Sequence, residues 1–122
     1  MTTLEIKNFV MFQTNNDAGD AGEFEPFLMD YINEGYDRLV WAHARRHLEE
    51  DSEYPPLADN TDEPKLPSFA HLGIANWAAW CVYRNGNPAK QSRGHQFRLA
   101  AEETLAGIRA DVNATHFVNV PR

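Results

Sequence analysis

The segment Ser68–Asn85 restricts the possible folds more than any other part of the sequence, because as a helix it is apolar almost all round. Such a helix is stable in water only when neighbouring elements cover it on several sides. It is too short and too interrupted to cross a bilayer. We therefore predict that it is the central helix of an all-α protein, with Trp77 and Cys81 largely buried. Its apolar residues are Phe69, Ala70, Leu72, Ile74, Trp77, Ala78, Trp80, Cys81, Val82 and Tyr83.

A helical hairpin is predicted directly after this segment. Gly86 suits the C-terminal end of one helix, and Asn87 followed by Pro88 is a typical start for the next. The next helix is predicted to run from Pro88 to about Val112, with an apolar stripe opposite a charged face. The stripe consists of Gly94, Phe97, Ala101, Leu105, Ile108 and Val112. Because the connection is so short, the two helices must be antiparallel neighbours.

A further helix is predicted at Thr3–Gln13. Thr2 and Glu5 have the spacing of a capping box, in which each residue satisfies a backbone donor of the other. Ile6 and the apolar residues after it recur at helical spacing. Leu4 and Ile6 also alternate, so a short strand is the competing interpretation.

The longest early helix is predicted from about Pro26 to His47. Pro26 suits the first helical position, where its missing N–H group is not needed. Apolar residues recur at steps of three and four, which places them on one face. That face consists of Leu28, Ile32, Tyr36, Leu39 or Val40, and His43.

Three segments lack helical patterning: the loop Thr14–Glu25, the linker Leu48–Leu66 and the tail Asn113–Arg122. The loop is rich in residues that favour turns, and the linker is acidic and contains prolines that forbid a regular helix. We expect both to be mobile. The fold is thus predicted as one domain: an N-terminal helix and loop (1–25), a helical core (26–112) and a tail (113–122). The architecture is an antiparallel bundle of three to four helices with a long acidic linker and an extended C-terminal arm.

The tail is the predicted partner-binding element. His116, Phe117, Val118 and Val120 alternate loosely, as in an extended strand. An exposed strand with apolar side chains favours pairing with another chain. We therefore predict that Phe117, Val118 and Val120 contact a neighbouring subunit, with Phe117 as the anchor. The alternative is that the tail folds back on its own core or stays disordered.

Composition restricts the partners of this chain. Its 122 residues are enough for one core, and its formal net charge of −7 disfavours wrapping around nucleic acid. The same charge suits a surface along which DNA slides without sticking. Cys81 is the one cysteine, so no internal disulfide and no cysteine zinc cluster can form. No secretory leader is recognisable at the N-terminus, which predicts synthesis in the cytosol.

No group of residues predicts a catalytic, metal or cofactor site. His43 and His47 have a spacing that can bind a metal, but Ala44 stands where the metalloprotease motif has glutamate. Arg45 and Arg46 add positive charge that opposes a cation. We therefore predict no metal, no cofactor and no enzymatic activity.

Three stretches together are similar to a known family: Asp30–Val40, Pro67–Trp80 and Val82–Gly94. A long helix, a proline-bearing linker and a hairpin with a Gly-Asn-Pro turn ahead of a basic start follow one another. This pattern resembles the small helical head–tail connector proteins of tailed bacteriophages, also called head completion or adaptor proteins. The resemblance covers roughly Phe27–Ala110, which is most of the chain.

The resemblance implies a structural role in the neck of the virion. Such proteins form rings, usually of twelve copies, that bind the portal protein and a tail or further neck protein. DNA passes through the ring without specific binding. Assembly in the host cytoplasm and no membrane association would follow. Two other classes stay open: a small acidic regulatory or anti-defence protein that binds a host or phage partner, and an enzyme with a site assembled from distant residues.

Overall fold

The structure, a computed structural model, describes residues 1–14, 25–44 and 54–118, with the side chains of residues 1–14, 26–43 and 54–110. These ranges contain four α-helices: α1 (Thr3–Thr14), α2 (Leu28–Ala44), α3 (Ser68–Arg84) and α4 (Pro88–Val118). A 3-10 turn at Glu25–Phe27 precedes α2. No strand is found in the described ranges. The prediction of an all-α protein is therefore confirmed.

α1 begins with the predicted capping box. The Glu5 N–H donates to Thr2 Oγ1 (3.2 Å), and the Thr2 N–H donates to Glu5 Oε1 (2.9 Å). These bonds satisfy backbone donors that a helix start leaves unpaired. The segment is thus a helix rather than the competing strand. Ile6 and Val10 are fully buried, whereas Phe12 points away from the core and is 75% exposed.

α2 begins two residues later than predicted, because the chain first passes through the 3-10 turn. Its inner face is the predicted one: Leu28, Ile32, Tyr36 and Leu39 are all buried. His43, the last member of the predicted stripe, is only half-buried. The predicted continuation of α2 to His47 and the loop between α1 and the 3-10 turn lie outside the described residues.

α3 ends one residue earlier than predicted and contacts α1, α2 and α4. Ten of its residues are buried. Pro67 is its N-cap residue, and the Pro67 carbonyl accepts the N–H of Ala70 (2.9 Å). Cys81 is buried as predicted, with 1% of its surface exposed. Trp77 has most of its surface covered and is less deeply buried than Cys81, because it lies at the border with α2 beside charged residues.

The turn between α3 and α4 has the predicted N-cap, since Asn87 Oδ1 accepts the N–H of Lys90 (3.0 Å). The two helices then pack closely at Gly94. A Cβ atom at this position would lie 2.5 Å from Tyr83 Cβ and 2.9 Å from Trp80 Cε3. Such distances leave no space for a side chain, so glycine permits this close helix contact. The predicted inner face of α4 is found as far as Ile108, with Phe97, Ala101 and Ile108 buried. The side chain of Val112, the last residue of the predicted stripe, lies outside the described residues.

α4 continues to Val118, and the prediction of an extended C-terminal arm is therefore wrong for residues 113–118. No glycine or proline interrupts the sequence between Val112 and Val118. Gly107 lies beside Phe69, close to the first residue of α3. At ~1.5 Å per residue, the α4 backbone therefore runs roughly 16 Å past that level.

The described part of the predicted linker, residues 54–66, is fixed to the helices, which contradicts the expectation that it is mobile. Asn33 of α2 holds Leu57 in both directions: Asn33 Nδ2 donates to the Leu57 carbonyl (2.9 Å), and the Leu57 N–H donates to Asn33 Oδ1 (2.8 Å). The Lys65 N–H donates to Tyr36 Oη (2.9 Å). These bonds satisfy backbone groups that regular structure would otherwise pair.

α1 holds the same segment from the other side. The Thr3 N–H and hydroxyl both donate to the Asp62 carbonyl, at 2.8 and 2.9 Å. The Leu4 N–H donates to the Asn60 carbonyl (3.1 Å), and Lys7 Nζ donates to Asn60 Oδ1 (2.8 Å). Residues 54–66 therefore join α1 to α2. Residues 48–53, the remainder of the predicted linker, lie outside the described ranges.

Candidate functional site

The predicted partner-binding residues fall at the very end of the described chain. Phe117 and Val118 are in the last turn of α4, and Val120 lies outside the described residues. Helical backbone spaces neighbours by about 100° instead of alternating them across a strand. The strand-like alternation predicted for Phe117 and Val118 is therefore wrong, and their contact with a neighbouring subunit stays a prediction.

A polar cluster that sequence reasoning missed joins α2 to α3. The Glu34 carboxylate accepts hydrogen bonds from Trp77 Nε1 (2.6 Å), Cys81 Sγ (3.1 Å) and Arg84. Arg84 contributes two of them, at 2.6 and 3.1 Å, so its guanidinium faces both carboxylate oxygens. We call these four residues the Glu34 cluster.

The helical repeat explains why the cluster forms. Trp77, Cys81 and Arg84 are spaced by four and three residues, which places them on one face of α3. The facing helix contributes Glu34, and Gly35 beside it lets α2 approach α3 closely. This spacing of hydrogen-bond donors was visible in the sequence, but the acceptor lies 43 residues upstream of the first of them.

The donors in the cluster control the ionisation of Glu34. Partial burial opposes its charge, but the hydrogen bonds from Arg84, Trp77 and Cys81 outweigh this effect and lower the pKa of Glu34 to about 2. Burial, followed by the contact with Glu34, raises the pKa of the Cys81 thiol. The thiol therefore stays protonated and is a poor nucleophile. The arrangement is suited to tying two helices together rather than to covalent catalysis.

We predict that the Glu34 cluster makes stability depend on acid pH. The pKa of Glu34 is about 2 in the folded chain against an ordinary 4.5. A group with a lowered folded pKa contributes stability above its unfolded pKa, and this contribution is lost as pH falls towards the folded value. The melting temperature of the wild type should thus fall more steeply than that of Glu34→Gln between about pH 4.5 and 2. Thermal unfolding followed by circular dichroism measures both slopes.

The matched control is Glu102→Gln on α4. Glu102 forms an exposed ion pair with Arg98 (3.1 Å), and exposed pairs contribute little stability. Its melting curve should follow that of the wild type at every pH. Parallel slopes for the wild type and Glu34→Gln would mean that the cluster does not hold the Glu34 carboxylate ionised.

A second feature is a cleft of about 390 Å³ between α2 and α4, which we call the Trp41 cleft. Trp41 is 62% exposed, and Ala42 and Leu105 complete the apolar part of the lining. Charged side chains form the remainder: Asp37, Arg38 and Arg109. An exposed tryptophan beside two guanidinium groups is a common composition for protein-binding surfaces.

The charged groups of the Trp41 cleft are incompletely satisfied. Arg38 lies over the Trp77 ring, with Cζ 4.1 Å from the ring centroid. Among the described residues, neither Arg38 nor Arg109 has an acceptor for its N–H groups, and the Asp37 carboxylate has no donor. The cleft therefore offers two guanidinium groups and one carboxylate to a ligand.

A third feature is a turn at residues 58–63, which we call the acidic loop. Asp62 fixes the loop from inside, because its Oδ2 atom accepts the N–H groups of Ala58 (3.0 Å) and Asp59 (2.9 Å). These backbone bonds lower the pKa of Asp62. The side chains of Asp59 and Glu63 are exposed, and no described residue pairs with either carboxylate.

The histidine pair considered in the sequence does not form a metal site within the described ranges. His43 lies near Tyr54, with ring centroids 6.5 Å apart, and His47 is outside those ranges. The part of the chain that is described holds no group of three histidine, cysteine or acidic side chains arranged to bind a metal ion. The absence of a bound metal stays a prediction.

Comparison with known proteins adds no assignment: no family model, curated protein or solved structure matches this chain. None of the helices described here has the length and apolar character needed to span a membrane. The candidate functional features are therefore the Trp41 cleft, the acidic loop and the exposed apolar side chains on the helices.

Proposed function

We propose that this chain is the structural subunit of a bacteriophage head–tail connector, a ring that lies beneath the portal in the neck of the virion. In this proposal the helices form an antiparallel bundle around α3, and the chain has no catalytic role. The ring also binds a second partner, which is a tail or further neck protein. DNA passes through the lumen without specific binding.

The observation that carries the proposal is the exposure of large aromatic side chains on separate helices. Phe12 on α1 is 75% exposed, and Trp41 on α2 is 62% exposed. A head-to-tail ring requires two different surfaces on each subunit, because the contact is not repeated on itself. Exposed aromatic residues that are buried on assembly supply much of the energy at such contacts.

Electrostatics and sequence give further support. The net charge of −7 disfavours tight binding of the DNA that must pass through the ring. The helices and the Gly86-Asn87-Pro88 turn occur in the order that the connector resemblance implies. The length of α4 beyond the level of Phe69 gives each subunit a helical end that another protein can contact.

A further prediction concerns assembly. Sedimentation velocity at concentrations from micromolar to millimolar should reveal a closed species, and negative-stain images should contain rings with a central hole. Twelve copies of the 13.9 kDa chain would have a mass of about 167 kDa. A chain that remains monomeric throughout this range would contradict the proposal. It would favour the alternative of an acidic regulatory protein that binds a single partner.

A further inference from the structure

We infer that the acidic loop of one copy docks in the Trp41 cleft of a second copy. This inference rests on the proposed function, since it specifies the contact between neighbouring subunits of the ring. The occupant of the cleft is then a carboxylate-bearing turn of a second copy of this chain rather than a segment of another protein.

The Trp41 cleft and the acidic loop carry complementary charges. The cleft presents the guanidinium groups of Arg38 and Arg109, and the described residues of the same copy give neither an acceptor. The acidic loop presents the carboxylates of Asp59 and Glu63, and none of the described residues pairs with either. Charge-assisted bonds between guanidinium and carboxylate are among the strongest polar contacts in interfaces. Asp37 reduces the positive charge of the cleft without cancelling it.

The acidic loop is also held firmly enough to be inserted into the cleft. Asp62 closes the turn, and Thr3 and Lys7 of α1 hold it from outside. A fixed loop loses little conformational entropy when it binds, which favours affinity. The exposed indole of Trp41 supplies the apolar surface that a docked loop would cover.

One copy of the chain cannot make this contact with itself. Tyr36 holds the residues after the loop on one side of α2, and Trp41 lines the cleft on another. Five residues correspond to about 140° around a helix of 3.6 residues per turn. The loop and the cleft therefore face different directions, and their contact must join two copies. Because the two surfaces differ, the contact repeats head to tail.

Charge reversal tests the inference in the full-length chain. Arg109→Glu and Glu63→Arg should each weaken self-association at least tenfold by sedimentation velocity, because each places two like charges at the contact. An equimolar mixture of the two variants should recover assembly, since alternating subunits restore an opposite pair at every contact. The double variant should recover it as well. Glu103→Arg, an equal charge change at an exposed position of α4, should assemble like the wild type.

The possible results distinguish a wrong docking contact from a wrong connector proposal. Circular dichroism must first establish that both single variants keep the wild-type helix content and melting temperature, which is expected because neither side chain has a partner within the described chain. If the wild type forms rings and both single variants do so equally well, the docking contact is wrong while the connector proposal stands. If the single variants fail to assemble and neither their mixture nor the double variant recovers assembly, the proposed pairing of the cleft with the acidic loop is also wrong. A wild type that never assembles overturns the connector proposal itself.

Discussion

Replacing Ile74 by alanine should lower the free energy of unfolding by about 2–5 kcal/mol, the range for removing a large aliphatic side chain from a packed core. Ile74 is fully buried near the middle of α3. It belongs to the main core cluster with Ile6, Ile32 and Tyr36, which come from α1 and α2. Truncation therefore leaves a cavity where three helices meet. Urea denaturation followed by circular dichroism would measure the loss.

Leu72→Ala provides the matched control on the same helix. Leu72 lies two residues before Ile74 and is 45% exposed. Because its side chain contributes less buried surface, truncation should cost about 1 kcal/mol or less. Equal losses of stability at the two positions would show that the side of α3 with Ile74 is no more buried than the side with Leu72.

Gly94→Ala should also destabilise the protein, by about 1–3 kcal/mol, although alanine is the better helix former. The added methyl group would lie 2.5 Å from Tyr83 Cβ, an atom fixed to the α3 backbone. The two helices must therefore separate, and the stacked rings of Tyr83 and Phe97, whose centroids are 6.0 Å apart, must move with them. The loss of stability is measured as a decrease in the melting temperature.

Gly107→Ala, on the same helix, should have the opposite sign. Among the described residues, a Cβ atom at position 107 would meet Phe69 Cε2 alone, at an ordinary contact distance of 3.7 Å. With no clash, the helix propensity of alanine should raise stability by up to about 1 kcal/mol. If both alanine variants were stabilised, the close approach of α3 and α4 at Gly94 would be disproved.

Local sequence signals were sufficient to predict the four helices and the starts of α1 and α4. The capping box at Thr2 and Glu5 and the N-cap at Asn87 depend on residues within four positions of each other, so their chemistry can be read directly. The apolar periodicity likewise identified the buried face of α2. Where a local pattern was weak, as in the loose alternation around Phe117, helix continuation from α4 prevailed.

Long-range polar contacts were not predictable in the same way. Glu34 is not part of the apolar stripe predicted for its helix, and nothing near it in sequence indicates that Trp77 and Arg84 surround it. The linker was misjudged for the same reason. Its prolines exclude a helix, but they do not reveal that Asn33 pairs with the backbone of Leu57. Proline content predicts the absence of a helix, not the absence of fixed structure.

The anchored linker also constrains the order in which the chain folds. The α3–α4 hairpin closes through three residues, whereas the bonds from Asn33 to Leu57 and from Thr3 to Asp62 join residues 24 and 59 apart in sequence. Closing a longer loop costs more chain entropy before any contact compensates for it. The hairpin can therefore serve as the early nucleus. α1 can dock fully only after residues 54–66 have settled on α2, because its first turn binds the surface that they create.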